Sequence, residues 1–186
     1  MHLAEAMLQN DCDEFINAMH KEIKDHTDCN HWTIYSCEEM KRTGYKGRVI
    51  MAVWSFKRKR KPFSEITKYK ARLCAHGGQM QKGVHYEDSY SPVVSWTTVR
   101  LLLTLALVHS WQTRQINFVL AYPQAETRTT LFMELPKQYE VQQGSLKRNI
   151  NTVKPTLQPH VLKLEKNLYG FRDGGLTWFK HLTKGL

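Results

Sequence analysis

The chain has 186 residues, 41% of them hydrophobic and 24% charged, with five Trp, seven Phe and eight Tyr. That balance can bury one core and excludes wholesale disorder. Lys and Arg outnumber Asp and Glu by 27 to 17, and the net charge of +10 makes nucleic acid the first partner to weigh against a merely solvated basic surface.

Cys12, Cys29, Cys37 and Cys74 form no Cys-x-x-Cys pair and follow no signal sequence. A reduced, intracellular setting is therefore expected, with cytoplasm and nucleus not distinguished. Cys29 and His31 have no second ligand pair at a zinc spacing, so they read as a free thiol and a surface histidine, and no metal finger is expected.

In chain order, Phe15, Ile16, Met19 and Ile23 recur at helical intervals behind Asp11 and Glu14, whose spacing resembles a capping box. A helix over about 11–26 follows. Residues 48–57 and 66–75 are rich in strand formers around a polar turn with Pro62 and Ser64, which predicts a β-hairpin. Alternation along the second strand puts Lys68, Lys70 and Arg72 on one face and Tyr69, Ala71 and Leu73 on the other. Neighbouring cations repel until an anion lies across them; a half-exposed strand without a ligand is the plainer alternative. The run Lys57, Arg58, Lys59, Arg60, Lys61 is expected at the hairpin tip, where contact with backbone phosphates, nuclear import and simple solvation all remain open.

The apolar stretch 99–108 is far shorter than the roughly 20 residues a membrane span needs, and reads as a buried helix capped by Ser95 or Thr97. Residues 115–121 alternate as a strand that stops at Pro123, and a second strand spans about 130–135. The polar stretch 141–159 reads as a loop insertion. A strand over 161–164, a turn at Tyr169-Gly170 and a final helix carrying Leu176, Phe179 and Leu182, without a convincing cap, complete the chain.

Four blocks then occur in one order. They are Tyr69-Lys70-Ala71-Arg72-Leu73 with Gly83, Tyr86, Ser91-Pro92-Val93-Val94 and 97–103; the run 115–125; Phe132-Met133-Glu134-Leu135-Pro136; and 161–171 with Trp178 beyond. In order, spacing and residue type they resemble the reverse transcriptases of copia-type retrotransposons, part of a Gag-Pol-like polyprotein. The resemblance implies an α+β, right-hand polymerase fold with an antiparallel sheet and packed helices. Fingers would fall at about 11–110 and an incomplete palm at about 111–186, in one domain fragment over 1–186. It also implies an RNA-directed DNA polymerase activity, a template-primer and deoxynucleoside triphosphates as partners, and Mg²⁺ held by converging carboxylates.

Carried over by position, Lys70 and Arg72 would hold the triphosphate, and Tyr122 would exclude a ribose 2′-hydroxyl. Tyr169 and Gly170 would line the nucleotide pocket, Gly170 letting backbone approach the ligand. Lys57, Arg58, Lys59, Arg60, Lys61 and Lys68 would meet nucleic acid. The chain departs from the family at its first palm motif, where Asn117 stands in place of the metal-binding aspartate. A neutral amide is a poor ligand for Mg²⁺. The family's aromatic-x-Asp-Asp turn would lie beyond residue 186, and Asp173, Glu126 and Glu134 do not occupy ligand positions. The block after Tyr169-Gly170 runs Arg172-Asp173-Gly174 rather than the usual Lys-Gln-Ala type. Productive Mg²⁺ binding is therefore not expected, and the fragment is expected to be catalytically inactive; a non-catalytic nucleic-acid-binding remnant and a decayed reading frame are the alternatives. An incomplete palm should also expose apolar surface and leave the C-terminal region frayed.

Overall fold

The computed structural model describes residues 1–62, 64–149 and 159–185. A short helix, α1 (Leu3–Met7), leads into α2 (Cys12–Asp28), whose stripe of Phe15, Ile16, Met19 and Ile23 is buried as its 3.6-residue spacing demands. The entry to α2 is not a capping box. Asp11 is the N-cap residue, yet its carboxylate accepts hydrogen bonds from Arg58 Nε at 2.7 Å and Nη2 at 2.6 Å. A bidentate, charge-assisted pair outcompetes one backbone N–H. His31, expected at the surface, is buried, with Nδ1 2.7 Å from Nδ1 of His26.

Strand β1 (Trp32–Ser36) runs into α3 (Cys37–Arg42), where a real capping box forms between Ser36 and Glu39. The expected hairpin is β2 (Ala52–Arg60) and β3 (Ile66–Ala75), paired with Trp54 opposite Leu73 and Phe56 opposite Ala71. Because pairing continues through Lys59 opposite Lys68, Lys57 to Arg60 lie within β2 and not at the tip; of the basic run, Lys61 alone falls beyond the strand.

Helix α4 (Trp96–Val108) is capped as expected, Ser95 Oγ accepting from the Thr98 N–H at 3.1 Å. It is not buried, however: Trp96 is 76% exposed and Leu107 82%, and Ala106 is its one buried residue. Hydropathy shows that a helix needs an apolar partner, not that one is present, and no described element covers these side chains. The strand expected over 115–121 does not form either. A strand is fixed by its neighbours' backbone groups, and residues 111–118 pair with no strand among the described residues. Leu120 turns left-handed at φ +51°, and α5 (Ala121–Gln124) takes Pro123 into a helical turn.

Strand β4 (Glu126–Glu134) begins earlier than expected. Part of the expected loop is instead a hairpin, β5 (Tyr139–Gln142) and β6 (Ser145–Arg148). Gln143 and Gly144 both have positive φ, the geometry a two-residue hairpin turn requires. Residues 150–158 of that loop lie outside the described residues. β7 (His160–Lys166) is the middle strand of a three-stranded antiparallel sheet, order β1-β7-β4, so Leu162 sits between Ile34 and Met133. Leu162, Leu164, Leu131 and Met133 share one core with Phe15, Met19, Ile50 and Leu73, which ties sheet, helix α2 and hairpin together. α6 (Gly174–Lys184) stays regular to its end, with Leu176 buried and Phe179 and Leu182 half-buried. The architecture is thus mixed α and β with antiparallel sheets. Among the described residues, no helix is long and apolar enough to cross a membrane.

Candidate nucleotide and nucleic-acid site

Because β2 and β3 are antiparallel and in register, the alternation read for one strand extends across both. Lys57 stands opposite Lys70 and Lys59 opposite Lys68, with Arg72 one step along the same face. Like charges directly opposite destabilise a sheet. Lys70 registers this: burial, then Lys59, Arg72 and Lys68, lower its pKa from the usual lysine range. These five cations line one cavity of about 780 Å³, together with Asn117 to Leu120 and Tyr169. Its far wall is α2, through Lys21, Glu22 and Asp25.

Arg72 is not loose on this face. Its guanidinium lies 4.0 Å from the centre of the Tyr169 ring, and Tyr169 meets Tyr122 edge-on at 5.5 Å. Burial pushes the Tyr169 phenol pKa up while the Arg72 charge pulls it down. The Tyr169 carbonyl accepts from the Ala75 N–H at 2.8 Å, so the turn is stapled to the end of β3. Gly170 has φ +93°, and a Cβ there would clash with the Ala75 carbonyl oxygen. The close approach that glycine permits here is made by the protein's own backbone at the end of β3. Arg172 continues the staple, its Nε donating to the Gly77 carbonyl at 3.1 Å, and Asp173 is buried at the start of α6. The departure at Arg172-Asp173 thus falls on residues that hold structure.

The rest of the basic run points elsewhere. Arg58 faces the opposite side of the hairpin, where it pairs with Asp11 and sits 5.0 Å from the Phe15 ring centre. The Arg58 hydrogen bonds hold the Asp11 carboxyl down at about 2. Arg60 donates to the Ser64 carbonyl at 2.8 Å, and Lys61 pairs with Glu65 at 2.9 Å. Of the expected nucleic-acid contacts, Lys57, Lys59 and Lys68 converge with Lys70 and Arg72; Arg58, Arg60 and Lys61 do not line the cavity.

Asn117 reaches the cavity wall from irregular backbone. The nearby carboxylates are committed: Glu22 Oε1 accepts from the Leu73 N–H at 3.1 Å, and Asp25 pairs with Lys21 at 3.1 Å. No group of three or more His, Cys, Asp or Glu able to hold a metal ion occurs among the described residues. A neutral amide facing five cations does not fit a magnesium centre. Glu22 was not legible as a site residue. Its one signal is its place at the edge of the buried α2 stripe, one turn before His26.

The model of the reverse transcriptase (RNA-dependent DNA polymerase) family matches residues 39–186. The chain belongs to that family. This reverse transcriptase chain is 29% identical over 132 residues to the retrovirus-related Pol polyprotein from transposon TNT 1-94 of Nicotiana tabacum, covering 71% of the chain and 9% of that protein. It is 28% identical over 138 residues to the corresponding polyprotein from transposon RE1 of Arabidopsis thaliana, covering 74% and 8%. The Ty1-DR5 Gag-Pol polyprotein of Saccharomyces cerevisiae is 24% identical over 174 residues, covering 94% and 9%. The chain thus carries a reverse transcriptase domain of the copia-type retrotransposon kind and spans less than a tenth of the length of these relatives. No solved structure matches it.

Proposed function

We propose that this reverse transcriptase domain binds polyanions, a template-primer backbone or a nucleoside triphosphate, on the cationic face of the β2–β3 hairpin, and that it does not polymerise in this form. The observation that carries the reading is the convergence of Lys57, Lys59, Lys68, Lys70 and Arg72 on the cavity that also holds Asn117. Five cations forced together are stabilised by an anion laid across them, and each phosphate neutralised releases counterions. In this reading residues 11–110 form fingers and 111–186 a partial palm. Lys70 and Arg72 take the triphosphate, with Arg72 aimed by Tyr169, while Lys57, Lys59 and Lys68 follow the nucleic-acid backbone. Tyr122, packed on Tyr169, stands where a ribose 2′-hydroxyl would be refused.

Asn117 favours binding without turnover over catalysis, because the two-metal reaction needs carboxylates at that place. Two assays separate these roles. Primer extension on an RNA template with Mg²⁺ is expected to stay at background, and incorporation above it would overturn the inactive assignment. A gel shift with single-stranded nucleic acid is expected to show retention at low salt that weakens steeply as salt rises; no retention at low salt would remove the binding role.

A further inference from the structure

The wall of a polyanion site should not carry an anion, and this one does. Glu22 lines the cavity opposite Lys70 and Arg72, its side chain 14% exposed. Part of its presence is structural. β3 pairs with β2 along one edge, and on the other the Leu73 N–H is free to donate to Glu22 Oε1 at 3.1 Å. That hydrogen bond needs an oxygen, not a charge; a glutamine would supply it. Among the described residues the charge has no ion pair with a lysine or arginine; its one basic partner there is His26, whose Nε2 lies 3.6 Å away in a fully buried ring. Burial sets the direction at the neighbouring titratable groups, lowering the pKa of Lys70 and raising those of Cys74 and Tyr169. The Glu22 carboxylate adds a smaller pull toward the protonated form at all three, which border the cavity or adjoin it on β3.

We infer that Glu22 is a specificity-determining counter-charge, a fixed carboxylate that weakens the cavity's hold on bare polyphosphate more than its hold on polyphosphate already neutralised by a divalent cation, and so narrows the preference that the cations give the bare anion. Its repulsion scales with the ligand's charge, so a magnesium complex suffers less than the free anion. This inference rests on the polyanion reading above. It adds that affinity is held below what the five cations of the hairpin would give, at a position the family's motifs do not mark.

The test is calorimetric titration of the whole chain with inorganic tripolyphosphate, with and without Mg²⁺, at low salt. Glu22→Gln keeps the acceptor for Leu73 and removes the charge. It is expected to bind free tripolyphosphate roughly five- to tenfold more tightly, with a smaller gain for the magnesium complex. Glu22→Asp, which withdraws the charge from β3 without deleting it, should fall between Gln and the native chain. Asp13→Asn, an equal change in net charge on an exposed part of α2, should stay within about twofold. Unchanged or weaker binding by both Glu22 variants overturns the inference, as does an equal gain from Asp13→Asn. If the native chain and every variant fail to bind tripolyphosphate, the polyanion reading falls as well; native binding with no Glu22 effect removes this inference alone.

Discussion

Lys70 and Arg72 sit on the solvent side of a strand whose other side is core, so each can lose its charge without opening a cavity. Lys70→Gln or Arg72→Gln should each weaken single-stranded nucleic-acid binding several-fold and reduce the salt slope by about 1, measured by gel shift across a salt series. Arg58→Gln should leave binding within about twofold but lower the melting temperature, since it removes the Asp11 pair; a binding loss equal to that of Lys70→Gln would contradict this. Period-two alternation made Lys70 and Arg72 legible, whereas Arg58 was expected to meet nucleic acid with the rest of the basic run, and it is the pairing with Asp11 and Phe15 that turns it to the other face. His31 was not legible. Two residues from exposed Cys29 it looked like surface, and what buries it is contact with His26, itself stacked on Trp32 at 5.0 Å. Burial first, and His26 second, lower its pKa from 6.5 to about 4. The unfolded chain therefore takes up the proton before the folded one does. Stability is fully present above pH 6.5 and declines as pH falls toward 4, by roughly 2–3 kcal/mol. Urea melts at pH 7 and pH 4.5 would show it, and His31→Phe should flatten that part of the profile.

At the scale of elements, what the sequence pattern fixed by itself was local. α2 and the β2–β3 hairpin were legible because their apolar residues repeat at the period of the element and their partners lie nearby in the chain. The failures share one cause: the deciding contact was not local. Residues 115–121 alternate like a strand, yet no described strand pairs with them; α4 is apolar nearly all round, yet nothing described covers it. The β5–β6 hairpin was hidden in a polar stretch because its turn, Gln143-Gly144, lacks the Asn-Gly or Asp-Gly that usually announces one. The exposure of α4 gives a direct expectation. Leu107→Lys should change stability by no more than about 0.5 kcal/mol, whereas Leu162→Ala in the central strand should cost about 2–5 kcal/mol. Denaturant midpoints of the two variants decide it, and a comparable loss from Leu107→Lys would mean that the helix is covered after all. Gly170→Ala belongs here too: a Cβ driven into the Ala75 carbonyl at positive φ should detach the Tyr169 turn from β3. Melting temperature and Arg72-dependent binding should fall together.

At the scale of the whole molecule, a member of a polymerase family carries a cavity in which Asn117 stands among lysines and an arginine. Under the proposed reading, Lys57, Lys59, Lys68, Lys70 and Arg72, where β2 and β3 face the cavity, supply affinity for nucleic acid that does not depend on any metal. Catalysis asks for the opposite sign, carboxylates dense enough to hold two Mg²⁺ ions against those same cations. Asn117→Asp restores one carboxylate and tests which requirement governs. Its near neighbours in the cavity are lysines, an arginine, and the carboxylates Glu22 and Asp25, which already serve Leu73 and Lys21. One added aspartate therefore gives a single ligand where a cluster is needed, while its charge opposes the phosphates that the lysines attract. Asn117→Asp should remain at background in primer extension with Mg²⁺ and should bind single-stranded nucleic acid a fewfold more weakly than the native chain at low salt. Extension by the variant alone would show that the missing charge at this one position was what silenced the domain, and that the carboxylates now tied to α2 and β3 can turn toward a metal. Unchanged extension with weakened binding would show that the cationic face, not a latent metal centre, governs what this chain does.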